Sequence, residues 1–347
     1  METDNNFYEY AQHEVRNNGI STVVMGARVS FYMFHFDYLS GKNYYEGELY
    51  SKEDDHGTRV TFLNMGDGEE SERTVYENFH LMTRVSDRRI LRPLMFDMTL
   101  SEWLDKIEEI SDADKVDLND GNGCLSEFWR TTIRELLEQI SHIHGCGLYH
   151  GSLSELTNYV FVGDQLKLIK IGACLDDLDE VDQSSKKIKD LKDFRDLLKG
   201  MMCPGFQWLE RDNFFNCFDK DTAFSYTNYV KKLVDHPFLL SPVERMRYLR
   251  NTHHDLSQSS LFNSRLELQV YQNWNSSPKD FETFLYKVYR YRKCRKYTGV
   301  YPSDLLRFMR NVYEHYKSYD QNMTDADVDA ILRRHWPGFL DQVHILT

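Results

Sequence analysis

Y-T-G-V-Y-P-S-D-L-L-R-F-M-R-N-V-Y-E-H-Y, from Tyr297 to Tyr316, is the stretch that decides the fold of the C-terminal region. Ser303 follows Pro302, and a serine just before an apolar periodic segment predicts a helix N-cap. The apolar residues recur at helical spacing, so the helix is predicted to run at least to Tyr316. One buried stripe is expected from Leu305, Met309, Val312 and Tyr316.

Polar side chains of the same stretch recur every four residues, at Arg307, Asn311 and His315. Residues at this spacing share a helix face, so we expect the three to point away from the core together. Histidine titrates near neutrality and suits proton transfer, and arginine suits anionic oxygens. An ordinary solvated polar face is the alternative interpretation.

A basic run lies immediately upstream, where residues 287–296 read K-V-Y-R-Y-R-K-C-R-K with tyrosines interleaved. The net charge of −13 argues against a surface that binds nucleic acid everywhere, so RNA would have to bind a local cluster such as this one. Its cations would hold phosphates and its tyrosines would stack on bases. The alternative is a merely basic helix. The candidate RNA contacts are Arg292, Arg295, Lys296 and Arg307.

The rest of the chain predicts a mixed α+β organisation. Residues 20–64 alternate apolar and polar side chains, which predicts a small antiparallel sheet. Helices are expected near 72–85, after Thr99 or Ser101, over 125–144, and at about 187–201 and 225–235, with a surface loop over 111–123. Short strands are expected at 159–162 and 166–171. Ser241-Pro242 is predicted to cap the first helix of an all-helical region.

Two strings in the middle of the chain are similar to protein-kinase motifs. His150-Gly151-Ser152-Leu153, followed by Asn158, is similar to the catalytic loop H-R-D-L-x-x-x-N with one extra residue. Lys170-Ile171-Gly172 stands where D-F-G is expected. The order of a small sheet, a helix, a further sheet and a larger helical part also resembles the bilobal protein kinase fold, which we expect over residues 1–240.

The charges that phosphotransfer requires are missing from these strings. Ser152 replaces the aspartate that accepts the proton of the substrate hydroxyl, and Lys170 places a cation where magnesium must bind. V-T-F-L-N at 60–64 stands in for V-A-I-K and ends in Asn64 instead of lysine, although Glu77 keeps the spacing of the helix glutamate that would pair with it. We therefore expect a pseudokinase, and we reject an active protein kinase.

The C-terminal stretch resembles the kinase-extension nuclease family, which includes ribonuclease L and the unfolded-protein-response kinase/endoribonuclease. The order Y-x-G, D-L-L-R-x-M-R-N and x-x-x-H-Y is similar to that family's active-site helix, and H-P-F at 236–238 with S-P-x-x-R at 241–245 stands where its nuclease domain begins. The resemblance implies an all-helical nuclease domain over 241–347. It also implies metal-independent endoribonuclease activity and a homodimer formed through both domains.

The same resemblance implies roles for Tyr297, Arg310, Asn311 and His315. RNA cleavage by its own 2′-hydroxyl leaves 2′,3′-cyclic phosphate and 5′-hydroxyl ends, and it needs a base, an acid and donors to the phosphate oxygens. We expect His315 to be the acid and Tyr297, beside a cation such as Arg295, to be the base, although these two roles could be exchanged. Arg310 and Asn311 would bind the phosphate oxygens.

Composition excludes several other classes of protein. The chain is 41% hydrophobic and 14% aromatic, which excludes a disordered protein, and no segment has the apolar length of a membrane span. The N-terminus lacks the apolar core of a signal peptide, so we expect a cytoplasmic protein, with the nucleus left open.

No metal site or cofactor is expected, and nucleotide binding in the kinase-like cleft is left open. The rival interpretation is a non-catalytic regulator that binds RNA or pairs with an active relative.

Overall fold

A computed structural model describes five N-terminal strands and residues 96–109, 124–202, 208–219, 225–256, 260–264, 266–291 and 296–346. The chain divides into two compact units. The first comprises Met1–Lys115 with Gln139–Phe194, and the second comprises Val116–Glu138 with Arg195–Thr347. The predicted boundary between residues 240 and 241 falls within the second unit and stays a prediction. The helix expected near 72–85 and the loop expected over 111–123 lie outside the described residues.

The first unit contains a five-stranded antiparallel sheet whose strands are neighbours in chain order. In register, Tyr32 pairs with Leu49 and Tyr44 pairs with Leu63. The small antiparallel sheet predicted over residues 20–64 is confirmed, and it gains one further strand before residue 20. The strands are β1 (Gln12–Asn17), β2 (Ile20–Val24), β3 (Val29–His35), β4 (Tyr44–Ser51) and β5 (Asp54–Leu63).

Shorter strands form two further sheets in this unit. β6 (Met98–Thr99) pairs with β8 (Tyr159–Val162), which pairs with β9 (Gln165–Leu168), and β7 (Leu148–Tyr149) pairs with β10 (Ala173–Cys174). The strand predicted over 166–171 ends at Leu168, because Lys170 takes a left-handed backbone conformation with a φ of 63°. Extended pairing cannot continue through such a residue.

Eleven α-helices are found among the described residues, and none of them is long and apolar enough to cross a membrane. α1 starts after Thr99, whose hydroxyl and backbone N–H form a capping box with Glu102. Thr99, rather than Ser101, is therefore the cap. The helices are α1 (Leu100–Glu109), α2 (Glu127–Gly145), α3 (Glu180–Met201), α4 (Leu209–Cys217), α5 (Tyr226–Val234), α6 (Pro242–Leu256), α7 (Ser260–Ser264), α8 (Thr283–Tyr289), α9 (Pro302–Tyr319), α10 (Asp325–His335) and α11 (Phe339–Leu346).

Helix α9 runs through the core of the second unit. The stripe predicted on it is confirmed, since Leu305, Met309, Val312 and Tyr316 are all buried. Next to this stripe, Phe308 stacks on Trp274 with ring centroids 4.9 Å apart. Burying side chains of this size stabilises the unit by about 1.5–3 kcal/mol each. The face of α9 that carries the polar residues is therefore held at a fixed rotation.

The start of α9 differs from the prediction. The helix begins at Pro302 with Tyr301 as its N-cap, and no side chain caps it. Proline suits the first helical position, because its φ is already helical and the missing N–H would have no partner there. Ser303 is therefore inside the first turn, and its backbone N–H donates to Asn263 Oδ1 at 3.2 Å. The prediction that Ser303 is the N-cap was wrong.

Helix α6 is fixed at its N-terminus by a buried arginine. Ser241 caps it as predicted, in a capping box with Glu244. Arg245 is 1% exposed and donates two hydrogen bonds to Glu210 of α4, at 3.1 and 3.3 Å. Removing one partner of such a buried pair costs about 3–5 kcal/mol. The pair holds α6 in place, and α6 packs along α9.

Candidate active site

The site on α9 is built around a hydrogen bond between Tyr297 and Asn311. Asn311 Nδ2 donates to the Tyr297 hydroxyl oxygen at 2.7 Å. Asn311 is 4% exposed and Tyr297 is 8% exposed. Two of the residues that the sequence analysis assigned to one site are therefore in contact. It was wrong to expect Asn311 to point away from the core with its neighbours, because the amide lies beneath the polar face.

Arg310 extends this contact toward the surface. Its Nε donates to Asn311 Oδ1 at 3.1 Å, and its Nη2 donates to the same oxygen. Both ends of the Asn311 amide are thus used inside the protein, one by Tyr297 and the other by Arg310. Arg310 itself remains 30% exposed and retains N–H groups directed away from Asn311. The geometry favours Arg310 as the group that meets an anion and Asn311 as the group that orients it.

Arg307 packs against the aromatic ring of Tyr297. Its guanidinium lies 4.6 Å from the centre of the Tyr297 ring, within cation–π distance. Arg307 Nη2 also lies 3.0 Å from Asp304 Oδ1 and donates to the Lys296 carbonyl at 3.2 Å. The predicted RNA-binding residue Arg307 is therefore also a structural brace for Tyr297.

Gly299 allows the chain to turn between Tyr297 and α9. Its φ is +73°, and a Cβ at this position would lie 1.9 Å from the side-chain oxygen of Asn275. Asn275 in turn donates to the Tyr297 carbonyl at 3.4 Å. A glycine is required here both for the backbone conformation and for the close approach of Asn275. This explains why residue 299, two positions after Tyr297, is a glycine.

His315 lies one turn beyond Asn311 and is exposed. The ring of Tyr291, itself 43% exposed, lies 6.3 Å from the imidazole between centroids. Lys296 is also exposed. An exposed imidazole beside an exposed aromatic ring is accessible to a ligand from solvent. The predicted contacts Arg292 and Arg295 lie outside the described residues.

His253 of α6 belongs to the same region, although the sequence analysis did not single it out. Burial lowers the pKa of its half-buried imidazole, the positive charges of Arg310 and Arg307 lower it further, and Glu314 raises it. The imidazole is therefore neutral at physiological pH. No spacing rule connects His253 to α9, because it lies on another helix. The only signal was the histidine pair at 253 and 254.

Asp190 of α3 holds the first of the two kinase-like strings, His150-Gly151-Ser152-Leu153. The Asp190 carboxylate accepts the backbone N–H of His150 at 2.7 Å and that of Gly151 at 2.8 Å. His144 Nε2 lies 2.8 Å from the same carboxylate. Burial opposes ionisation of Asp190, but the hydrogen bonds from His144 and the two N–H groups hold its pKa below the ordinary value. The loop containing Ser152 is thus held by a buried charge.

The two kinase-like strings lie next to each other, since the Gly172 N–H donates at 3.0 Å to the carbonyl of Tyr149, the residue before His150. His150 Nε2 lies 2.9 Å from the Ile169 carbonyl, so this nitrogen carries the hydrogen and donates. Asn158 Nδ2 donates to the Ser152 carbonyl at 2.8 Å. The two strings that resemble the catalytic loop and D-F-G are therefore adjacent in space. Asn64 and Glu77 lie outside the described residues.

Within the described parts of the chain, no group of three or more His, Cys, Asp or Glu side chains is arranged to hold a metal ion. No family model matches the chain, and no curated sequence matches it. The site must therefore be interpreted from its own side chains.

Proposed function

We propose that this protein is a metal-independent endoribonuclease with a kinase-like region that does not transfer phosphate. The observation that carries the proposal is the chain of hydrogen bonds from Tyr297 through Asn311 to Arg310, with His315 exposed on the next turn. It combines an oriented guanidinium with an accessible proton-transfer group. Phosphodiester cleavage by a neighbouring hydroxyl needs both.

In the proposed reaction, the 2′-oxygen of the RNA attacks the adjacent phosphorus and the bond from phosphorus to the 5′-oxygen breaks. A base removes the proton of the 2′-hydroxyl, and His315 gives a proton to the leaving 5′-oxygen. Arg310 binds a phosphate oxygen as negative charge accumulates. Tyr291 supports this assignment, since its exposed ring beside His315 offers a stacking surface for a base.

The kinase-like proposal rests on the contacts around Asp190. They hold the H-G-S-L loop, and His150 also donates to the carbonyl of Ile169, the residue before the K-I-G string. This proximity supports the likeness to a catalytic loop beside a metal-binding loop, with the acidic side chains replaced. We propose a regulatory role in which two copies pair through both of their domains. A nucleotide bound in the kinase-like cleft would act only as a regulatory ligand.

The deciding experiment incubates the purified chain with a structured RNA in EDTA and identifies the product ends. We expect 2′,3′-cyclic phosphate and 5′-hydroxyl ends, a rate that rises more steeply than linearly with protein concentration, and no phosphotransfer from ATP and magnesium. Products with 3′-hydroxyl ends that vanish in EDTA would overturn the proposal. RNA binding without any cleavage would instead favour a non-catalytic regulator.

A further inference from the structure

A second histidine, His253, lies on α6, the helix that packs along α9. Arg250 Nε of α6 lies 3.8 Å from Glu314 Oε1, and Glu314 Oε2 lies 4.0 Å from Arg310 Nε. His253 follows Arg250 by three residues and therefore shares its helix face. The last turns of α6 thus lie against the turn of α9 that carries Arg310.

We propose, on the basis of the endoribonuclease function above, that His253 is the base that removes the proton of the RNA 2′-hydroxyl. The new bond joins the 2′-oxygen to phosphorus, and the bond from phosphorus to the 5′-oxygen breaks. His253 gains the proton of the nucleophile, while His315 gives one to the leaving oxygen. Exchange of protons with water afterwards restores both imidazoles. The step needs no metal and no other reactant.

The surroundings of His253 keep it in the form that a base requires. Burial lowers its pKa, and the cations Arg310 and Arg307 of α9 lower it further, together with the adjacent His254. Glu314 acts in the opposite direction. A neutral imidazole accepts a proton at once, and a phosphate bound to Arg310 would add the negative charge that stabilises the resulting imidazolium.

Tyr297 is the competing base, and its contacts favour a positioning role. Its hydroxyl oxygen already accepts the hydrogen bond of Asn311, and only 8% of the residue is exposed. A base must reach the substrate hydroxyl at hydrogen-bond distance. A half-buried imidazole on the edge of the site satisfies this condition better than a phenol enclosed by Asn311 and Arg307.

The test compares His253→Ala with His254→Ala, because the two histidines are adjacent on α6 and His254 is exposed. Single-turnover cleavage should fall about a hundred-fold in His253→Ala and change by less than about threefold in His254→Ala. The acid limb of the pH–rate profile should disappear only in the first. Added imidazole should restore part of its rate. His253→Gln, which retains bulk but accepts no proton, replaces His253→Ala if the latter melts at a lower temperature.

The outcomes separate this inference from the function on which it rests. An inactive unmutated chain overturns both. An active chain in which His253→Ala and His253→Gln cleave like His254→Ala overturns the role of His253 alone. A loss of rate with an unchanged acid limb and no rescue by imidazole would also overturn it, because a structural role has that result. A hundred-fold loss in Tyr297→Phe with the acid limb removed would assign the base to Tyr297.

Discussion

The polar face of α9 and the loop around Ser152 are both held by buried asparagines, but they retain different chemistry. Asn311 orients Arg310 beside an exposed histidine, whereas Asn158 binds the carbonyl of Ser152, whose own side chain carries no charge. Each region keeps the contacts that shape it. The two regions differ in what the held group is: a partly exposed guanidinium beside an exposed imidazole on α9, and a backbone carbonyl in the loop. Similar asparagine contacts can therefore support different chemistry.

Among the substitutions in the two regions, His315→Ala should cause the largest loss of cleavage. We expect cleavage to fall about a hundred- to ten-thousand-fold, because the variant lacks the proton donor for the leaving oxygen. Folding and RNA affinity should change little, since the side chain is exposed. Single-turnover rates and a binding titration measure the two effects. Ser318→Ala, at another exposed position of α9, is the control. Unchanged cleavage in His315→Ala would show that the site was misassigned.

The two asparagines provide the next comparison. Asn311→Ala should lower cleavage by about tenfold or more, because Arg310 and Tyr297 lose their common partner, and should destabilise the protein by about 1–3 kcal/mol. Asn158→Ala should cost similar stability, since it also removes a buried hydrogen bond, yet leave cleavage within about threefold. Thermal melting and single-turnover rates at saturating protein check both. Equal losses of cleavage would mean that the regions are not functionally separate.

Glu314→Gln should have the smallest effect. The carboxylate raises the pKa of His253, so its removal should lower that pKa and move the acid limb of the pH–rate profile to lower pH. The maximal rate should change by less than about threefold, because contacts between exposed charges contribute little. A full pH–rate profile of both proteins measures the shift. An acid limb displaced to higher pH would contradict the placement of His253 beside Glu314.

Local patterns predicted α1, α2, α5, α6 and the buried stripe of α9, since 3.6-residue spacing is a property of the sequence itself. Resemblance assigned Tyr297 and Asn311 to one site, and the two side chains are in contact. Local patterns could not predict features that depend on tertiary contacts. The Asn311 amide is buried and bonded to Tyr297, and His253 lies near α9 because α6 packs on α9. Ser303 is not the N-cap, because Pro302 occupies the first helical position and Tyr301 becomes the N-cap. Both the serine and the proline are good local signals for a helix start, and they indicate different positions.

The shared partnership at Asn311 has a consequence for mutagenesis. Because Tyr297, Asn311 and Arg310 form one continuous chain of contacts, loss of any member releases the next. Their substitutions should show strong thermodynamic coupling, with a double variant little worse than the more damaged single one. Alanine scanning would then rank all three as equally important and hide which of them touches the substrate. His315 makes no hydrogen bond to any of the three, so a double-mutant cycle with His315 would separate residues that position others from residues that act on the substrate.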